Sequence, residues 1–294
     1  MLLANAAETA EGTCGTELTW KLSDGILTIT GTGSMTNWTS YSVAPWDSYK
    51  DSIMSVVIDS GVTSVGSYAF NNCSALETIS LPEGLTSIGN NAFQDCSSLA
   101  TVKLPESLET IGNYAFRYCT SLEEVRIPSG VTSVSGSAPF SGCTALTKVT
   151  FGSGTTKVPG NICRGMEALT TVEYEEANEI TGIGSYAFYN CSALATVTIP
   201  DTVVNVENNA FQGCSSLTTV TLPEGLTSIG NYAFQKLRSL ATVTLPESLQ
   251  TIGNNAFRDC TSLGEVRIPS EVTSVSGSAP FTGCTALTKV IFGS

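Results

Sequence analysis

From Ile53 onward, apolar residues return in one fixed order about every 23 residues. Each unit offers a leucine, a short stretch of alternating apolar and polar residues, a proline, a Leu-x-x-Ile-Gly run, and then Ala-Phe-x-x-Cys. The anchor phenylalanines are Phe70, Phe93, Phe116, Phe140, Phe188, Phe211, Phe234, Phe257 and Phe281, with Cys163 in the equivalent place of one irregular unit. Most steps are 23 residues, two are 24, and the step into Phe188 is 25. A unit this short cannot offset its own conformational entropy, so the pattern predicts a stack in which each coil closes the apolar interior of the next.

Within a unit the periods specify the elements. Stretches such as Glu124-Val125-Arg126-Ile127 and Thr242-Val243-Thr244-Leu245 alternate with period two, which predicts a strand with one buried face. Proline closes most of them, as at Pro82, Pro105, Pro223 and Pro246, where a residue without an N–H suits a corner that leaves the ladder. Leu85-Thr86-Ser87-Ile88-Gly89 and its equivalents predict a second, shorter extended run. The Phe-x-x-Cys-x-x-Leu spacing predicts a single helical or 3₁₀ turn that points all three side chains inward.

Before the array, residues 17–22 and 26–31 alternate as two strands around Ser23-Asp24-Gly25, a β-hairpin expected to close the first coil with Trp20 and Trp46. The division expected is 1–10 as a flexible remnant of an export signal, 11–52 as a β-rich N-terminal cap, and 53–294 as the array. Ala4-Asn5-Ala6 reads as the small-residue end of an export signal, and a disordered cytosolic start is the competing reading. At the other end, Ile291-Phe292 follows a strand and leaves an open edge suited to end-to-end contact with another chain or to cover by a further segment.

A larger duplication overlies the small one. Residues 73–153 align without gaps to 214–294, with 16 differences in 81 positions. The inward positions change only conservatively, as in Ile79 to Val220 and Cys96 to Leu237, while Asp95 to Lys236 and Lys103 to Thr244 are expected to face water.

Ten cysteines invite a disulfide reading, yet eight of them lie three residues after an anchor phenylalanine and form one inward column. Leu237 and Met166 share that column, so the position calls for a medium-sized apolar group, and free thiols are expected over bridges. The chain has no histidine and no C-x-x-C pair, which leaves zinc without support and excludes Ser-His-Asp and Cys-His catalysis. No metal and no cofactor is expected. A net charge of −13 supplies no basic stripe for nucleic acid, and no apolar run is long enough to span a membrane as a helix.

The repeated Leu-Pro-x-x-Leu-x-x-Ile-x-x-x-Ala-Phe-x-x-Cys pattern, seen at 81–96 and 222–234, resembles the BspA-like subclass of bacterial leucine-rich repeats. The leader from Cys14-Gly15 to Pro45-Trp46 is similar to the segment that precedes such arrays in gut-bacterial surface proteins. The resemblance implies an α/β-type repeat solenoid, a right-handed superhelix with a parallel β-sheet, in an exported or cell-surface protein linked to adhesion and to host extracellular proteins. Fold does not fix the ligand of such a platform.

Three places carry residue types suited to chemistry or binding. Gly152-Ser153-Gly154-Thr155-Thr156-Lys157 lacks the Gly-Lys-Ser/Thr ending of a phosphate loop. The acidic run Glu173, Glu175, Glu176 and Glu179 reads as a solvated insertion loop or, less simply, a divalent-cation site. The outward face of the strands remains the candidate binding surface: Lys103, Glu124, Arg126, Lys148, Thr150, Glu173, Thr198, Thr221, Thr244 and Arg267. Against it stands the plain reading that threonine is a good strand former that stays soluble. The expectation is a non-catalytic platform for a protein ligand, with a glycan-binding module or a passive spacer as alternatives. Glycan binding would require exposed aromatic platforms, for which Tyr118, Tyr186 and Tyr232 are the nearest residues.

Overall fold

A computed structural model describes residues 9–40, 42–277 and 279–293, in two compact units that divide between Leu146 and Thr147. The expectation for residues 1–8 lies outside the described residues. Each unit is a parallel-strand β-solenoid, and the two contain about ten turns between them.

In the first unit, Thr9–Thr13 pairs antiparallel with Leu18–Ser23, which pairs antiparallel with Ile26–Gly31. The hairpin turns at Asp24 and Gly25, both at positive φ (52° and 77°), as a two-residue turn that follows the strand twist requires. The strand from Thr9 occupies residues expected to be flexible as far as residue 10, and its pairing to Leu18–Ser23 explains the difference. Ile26–Gly31 then pairs parallel with Ser55–Ile58, and that strand with Thr78–Ser80. The sheet therefore runs through the expected boundary at 52/53, and the leader contributes a coil of its own. Trp46 heads the aromatic column: it stacks on Phe70 at 5.4 Å and donates its indole N–H to the Ala69 carbonyl at 2.7 Å. Trp20 and Trp38 pack edge-on against Trp46. Below it Phe70, Phe93, Phe116 and Phe140 stack at 5.1–5.3 Å, all fully buried.

A second ribbon joins Gly33–Ser34, Val62–Val65, Ser87–Ile88, Thr110–Ile111 and Ser133–Val134, as the shorter alternating runs predict. At residues 101–103 the expected main-sheet strand carries no ladder pairing, whereas the equivalent Thr242–Thr244 of the duplicate does. The outward β-branched Thr244 is Lys103 here, a residue less suited to a pleated surface.

The second unit repeats the plan. Lys148–Phe151 pairs with Thr171–Tyr174, and Thr196–Thr198, Thr219–Thr221, Thr242–Thr244, Glu265–Ile268 and Lys289–Phe292 form one parallel sheet. Phe188, Phe211, Phe234, Phe257 and Phe281 stack at 5.1–5.4 Å. Where Cys163 replaces the anchor, Phe151 fills the space from the strand side, edge-on to Phe188 at 6.5 Å and stacked on Tyr174 at 5.6 Å.

The corner corrects the α/β-type expectation. Among the described residues the helical content is one 3₁₀ turn, Asp47–Tyr49. The predicted i to i+3 bonds do form, as from Cys73 N–H to Phe70 C=O and from Leu76 N–H to Cys73 C=O. Helix is blocked because the residues two before and two after the anchor take left-handed backbone, as at Asn91 (φ 55°) and Asp95 (φ 60°) around Phe93. That conformation turns the corner's N–H groups along the stack: Asn91, Phe93 and Asp95 donate to the carbonyls of Asn113, Ala115 and Arg117. Within each unit, from Phe70 to Phe140 and from Cys163 to Phe281, successive coils are thus tied at their corners as well as along their strands. The coils also approach so closely that a Cβ at Gly112 would lie 2.4 Å from the backbone carbon of Gly89.

Candidate functional site

The structure brings part of the expected strand face together. Thr198, Thr221 and Thr244 lie side by side in register, as do Thr196, Thr219 and Thr242, on three strands that each read Thr-Val-Thr with the valine buried. Among the described residues these six hydroxyls meet no protein partner. A shallow groove runs between Thr219, Thr221, Thr242 and Thr244, with Glu224 and Pro246 at its end. Thr150 pairs in register with Glu173.

The charges of the face are not presented bare. Lys148 meets Glu173 at 2.8 Å, Arg126 meets Glu106 at 2.5 Å, and Arg267 pairs with Glu247. Lys103 lies outside any strand and reaches Glu83 at 3.7 Å. The duplication repeats the arginine–glutamate pair, which joins a strand to the Pro-Glu corner of the coil before it. Glu124 is exposed at the start of the strand Glu124–Ile127. These pairs are solvent-exposed and contribute little to stability.

The irregular unit is built for closure. Thr155 is buried, with its N–H on the Asn178 side-chain oxygen at 2.9 Å and its hydroxyl on the Gly152 carbonyl at 2.6 Å, so the glycine-rich segment is a coil corner. Glu175 accepts the Ser153 N–H at 2.8 Å. No group of three or more metal-ligating side chains is found among the described residues. Glu207 stands where the other phenylalanine-anchored coils carry glycine, four residues before the anchor. Its carboxylate accepts from Lys157 at 2.5 Å and from the Ser185 N–H and hydroxyl at 3.0 and 2.8 Å. Burial raises its pKa, and the hydrogen bonds and charge of Lys157 and Ser185 outweigh that and lower it.

The cysteines are free and buried. Burial pushes Cys73 and Cys214 up to about 12 and Cys14 to about 11, which leaves them protonated and unreactive at neutral pH. Their column is more specific than an apolar slot. The Cys119 thiol donates to the Phe93 carbonyl at 3.2 Å, Cys143 to Phe116 at 3.0 Å, and Cys214 to Phe188 at 3.1 Å.

Sequence reasoning named Tyr118, Tyr186 and Tyr232 as the nearest aromatic platforms but did not place them at the corner. Left-handed positions there are held by tyrosines: Tyr68, Tyr114, Tyr118, Tyr186 and Tyr232, with φ of 54–60°. In the first unit Arg117 lies over the rings of Tyr114 and Tyr118, at 4.8 and 4.4 Å. In the second, Arg164 lies over Tyr186 and Tyr189 at 5.0 and 5.2 Å. Asparagines beside them run as ladders, with Asn113 N–H on the Asn90 side-chain oxygen and Asn254 N–H on that of Asn231. The signal available was the exchange of Tyr and Asn between copies, Asn91 for Tyr232 and Tyr114 for Asn255.

The sequence profile of the BspA type leucine rich repeat region matches residues 48–170 and 181–294, in six copies. Among solved structures, a leucine-rich repeat protein from Eubacterium ventriosum is similar over 97% of this chain and 85% of its own, at 24% identity and a TM-score of 0.62. A leucine rich cell surface protein from Faecalibacterium prausnitzii aligns over 99% of this chain and 96% of its own, at 25% identity and a TM-score of 0.42. No curated protein sequence matches the chain.

Proposed function

The chain belongs to the BspA-type leucine-rich repeat family, and from that premise we propose that it is a non-catalytic recognition scaffold of the bacterial exterior, secreted or held at the cell surface, that binds protein through the outward face of its parallel strands. The observation that carries this is the registered array of six unpartnered threonine hydroxyls on Thr196–Thr198, Thr219–Thr221 and Thr242–Thr244. β-Branched side chains on a hydrogen-bonded sheet are already ordered, so a partner that bonds them orders little more on binding. Hydroxyls both donate and accept, which suits the amides of a protein surface.

The charged members of the face in the second unit, Lys148, Glu173 and Arg267, set the rim of this surface. Their pairs are exposed, so an arginine can exchange its glutamate for a partner's carboxylate at small cost. The coils wind right-handed, as parallel strands joined by crossovers do, and the hairpin Leu18–Gly31 covers the first of them.

The test is binding of the chain to a panel of immobilised extracellular-matrix proteins, with Arg126→Glu/Arg267→Glu and Thr221→Lys/Thr244→Lys as variants. Binding by the parent chain that both variants weaken by about tenfold or more supports the face. Unchanged binding in both removes the strand face from the contact, and no binding to any member leaves the spacer reading in its place.

A further inference from the structure

We propose that the corner face of the second unit around Tyr232 binds an acidic carbohydrate, with Tyr232 against the sugar ring and Lys236, Arg238 and Arg258 meeting its carboxylates or sulfates. This surface is separate from the strand face and stands or falls on its own.

The first observation is backbone conformation. Tyr232 sits at φ 57°, a region in which a bulky L-residue is strained, while the equivalent Asn91 at φ 55° is of a type that tolerates it. The fold therefore does not require tyrosine there, and strain retained at a half-buried surface ring points to a contact outside the chain. The second is charge. The copies differ at three consecutive positions, Asp95 to Lys236, Cys96 to Leu237 and Ser97 to Arg238, which places two new cations at one corner of a chain whose net charge is −13.

The third is placement. Lys236 N–H donates to the Arg258 carbonyl at 2.8 Å and Tyr232 N–H to the Asn254 carbonyl at 2.9 Å, so the tyrosine and the cations share two adjacent coils. Lys236 and Arg238 are exposed and form no ion pair among the described residues. Arg258 meets Asp259 at 3.5 Å, an exposed pair that a ligand carboxylate can displace. The Asn254 amide reaches the Tyr232 hydroxyl at 3.4 Å.

An aromatic face for sugar C–H groups, a side-chain amide for hydroxyls, and cations for acid groups form the complement of an acidic saccharide. The aromatic cluster of Tyr186 and Tyr189 under Arg164 lies further along the same corner face, at coil steps of about 4.8 Å, so an extended chain can run along it.

The test compares the chain with Tyr232→Asn/Lys236→Asp/Arg238→Ser, which restores the residues of the first copy and so uses a coil this fold already accommodates. Heparin, polygalacturonate, dextran and polyglutamate are the probes, in calorimetry at about 0.15 M salt. Binding of heparin or polygalacturonate by the parent, weakened about tenfold or more in the triple variant and absent with dextran, is the expected result. Heparin alone marks sulfate as the recognised group, polygalacturonate alone marks carboxylate. Failure of the parent to bind either polyanion, equal binding by a triple variant of unchanged melting temperature, or polyglutamate bound as tightly as the saccharides overturns the proposal. Arg126→Glu/Arg267→Glu retains the saccharide affinity; its loss there would place the contact on the other face.

Discussion

The thiol of Cys96 donates to the carbonyl of Phe70, one coil earlier, at 3.2 Å. The Phe70 carbonyl also accepts the Cys73 N–H, so the thiol fills the second acceptor site of a buried oxygen. Cysteine is small enough for the column, apolar enough to be buried there, and still a donor. Leu237 fills the same column without the bond, so volume dominates and the donor adds to it.

Cys214→Leu is therefore mild: the bond to Phe188 is lost while burial is kept. A cost of about 1 kcal/mol, seen as a fall of a few degrees in Tm, is expected from thermal melting. A fall beyond about 10 °C would show that the donor, not the volume, holds the column.

Alkaline pH should destabilise the protein. Folded-state pKa values of Cys73 and Cys214 are raised from 9.0 to about 12, so the native state holds protons that the unfolded chain releases above pH 9. That contribution is complete below pH 9 and falls as pH rises toward 12. Urea midpoints measured from pH 8 upward should decline, and Cys214→Leu should flatten part of the decline. A profile that rises over this range would contradict the burial of the thiols.

Phe93 lies between Phe70 at 5.1 Å and Phe116 at 5.2 Å and is fully buried. Phe93→Ala should cost about 3–5 kcal/mol, because flat rings on either side cannot collapse into the gap without moving their coils. Chemical denaturation should show a lower midpoint, and an unaltered one would remove Phe93 from the stack.

Glu207→Gln loses the charge that Lys157 and Ser185 converge upon. The side chain is partly exposed, so a loss under about 1 kcal/mol at neutral pH is expected. Its folded pKa is lowered, so its contribution is present above the ordinary carboxylate range and disappears as pH falls through the folded value. The melting curves of parent and variant should converge in acid; a difference that persists undiminished there would assign the effect to packing.

The columns were legible in the sequence because burial repeats with the coil: Phe93, Cys96 and Leu99 are all fully buried. The strands and the second ribbon followed from period-two alternation. The corner was less legible, since Tyr114 and Tyr186 are not residues that announce left-handed backbone, and the helix-like spacing of Phe-x-x-Cys-x-x-Leu fits consecutive tight turns equally well. The candidate face was read in outline: alternation identified Thr198, Thr221 and Thr244 as outward. It did not show Arg126 on Glu106 or Arg267 on Glu247, pairs 20 residues apart that form only because the chain returns over itself once per coil.

Within each unit, successive coils are bonded at their corners as well as along their strands. Amide hydrogen exchange measures this directly at Phe93, Phe211 and Phe234, whose N–H groups donate to the carbonyls of Ala115, Ala233 and Ala256 at 2.7–2.8 Å. Those amides should be as strongly protected as the strand amides of Val220 and Val243. Exchange at the rate of exposed turns would contradict it, leaving the corners as loops around separate cores.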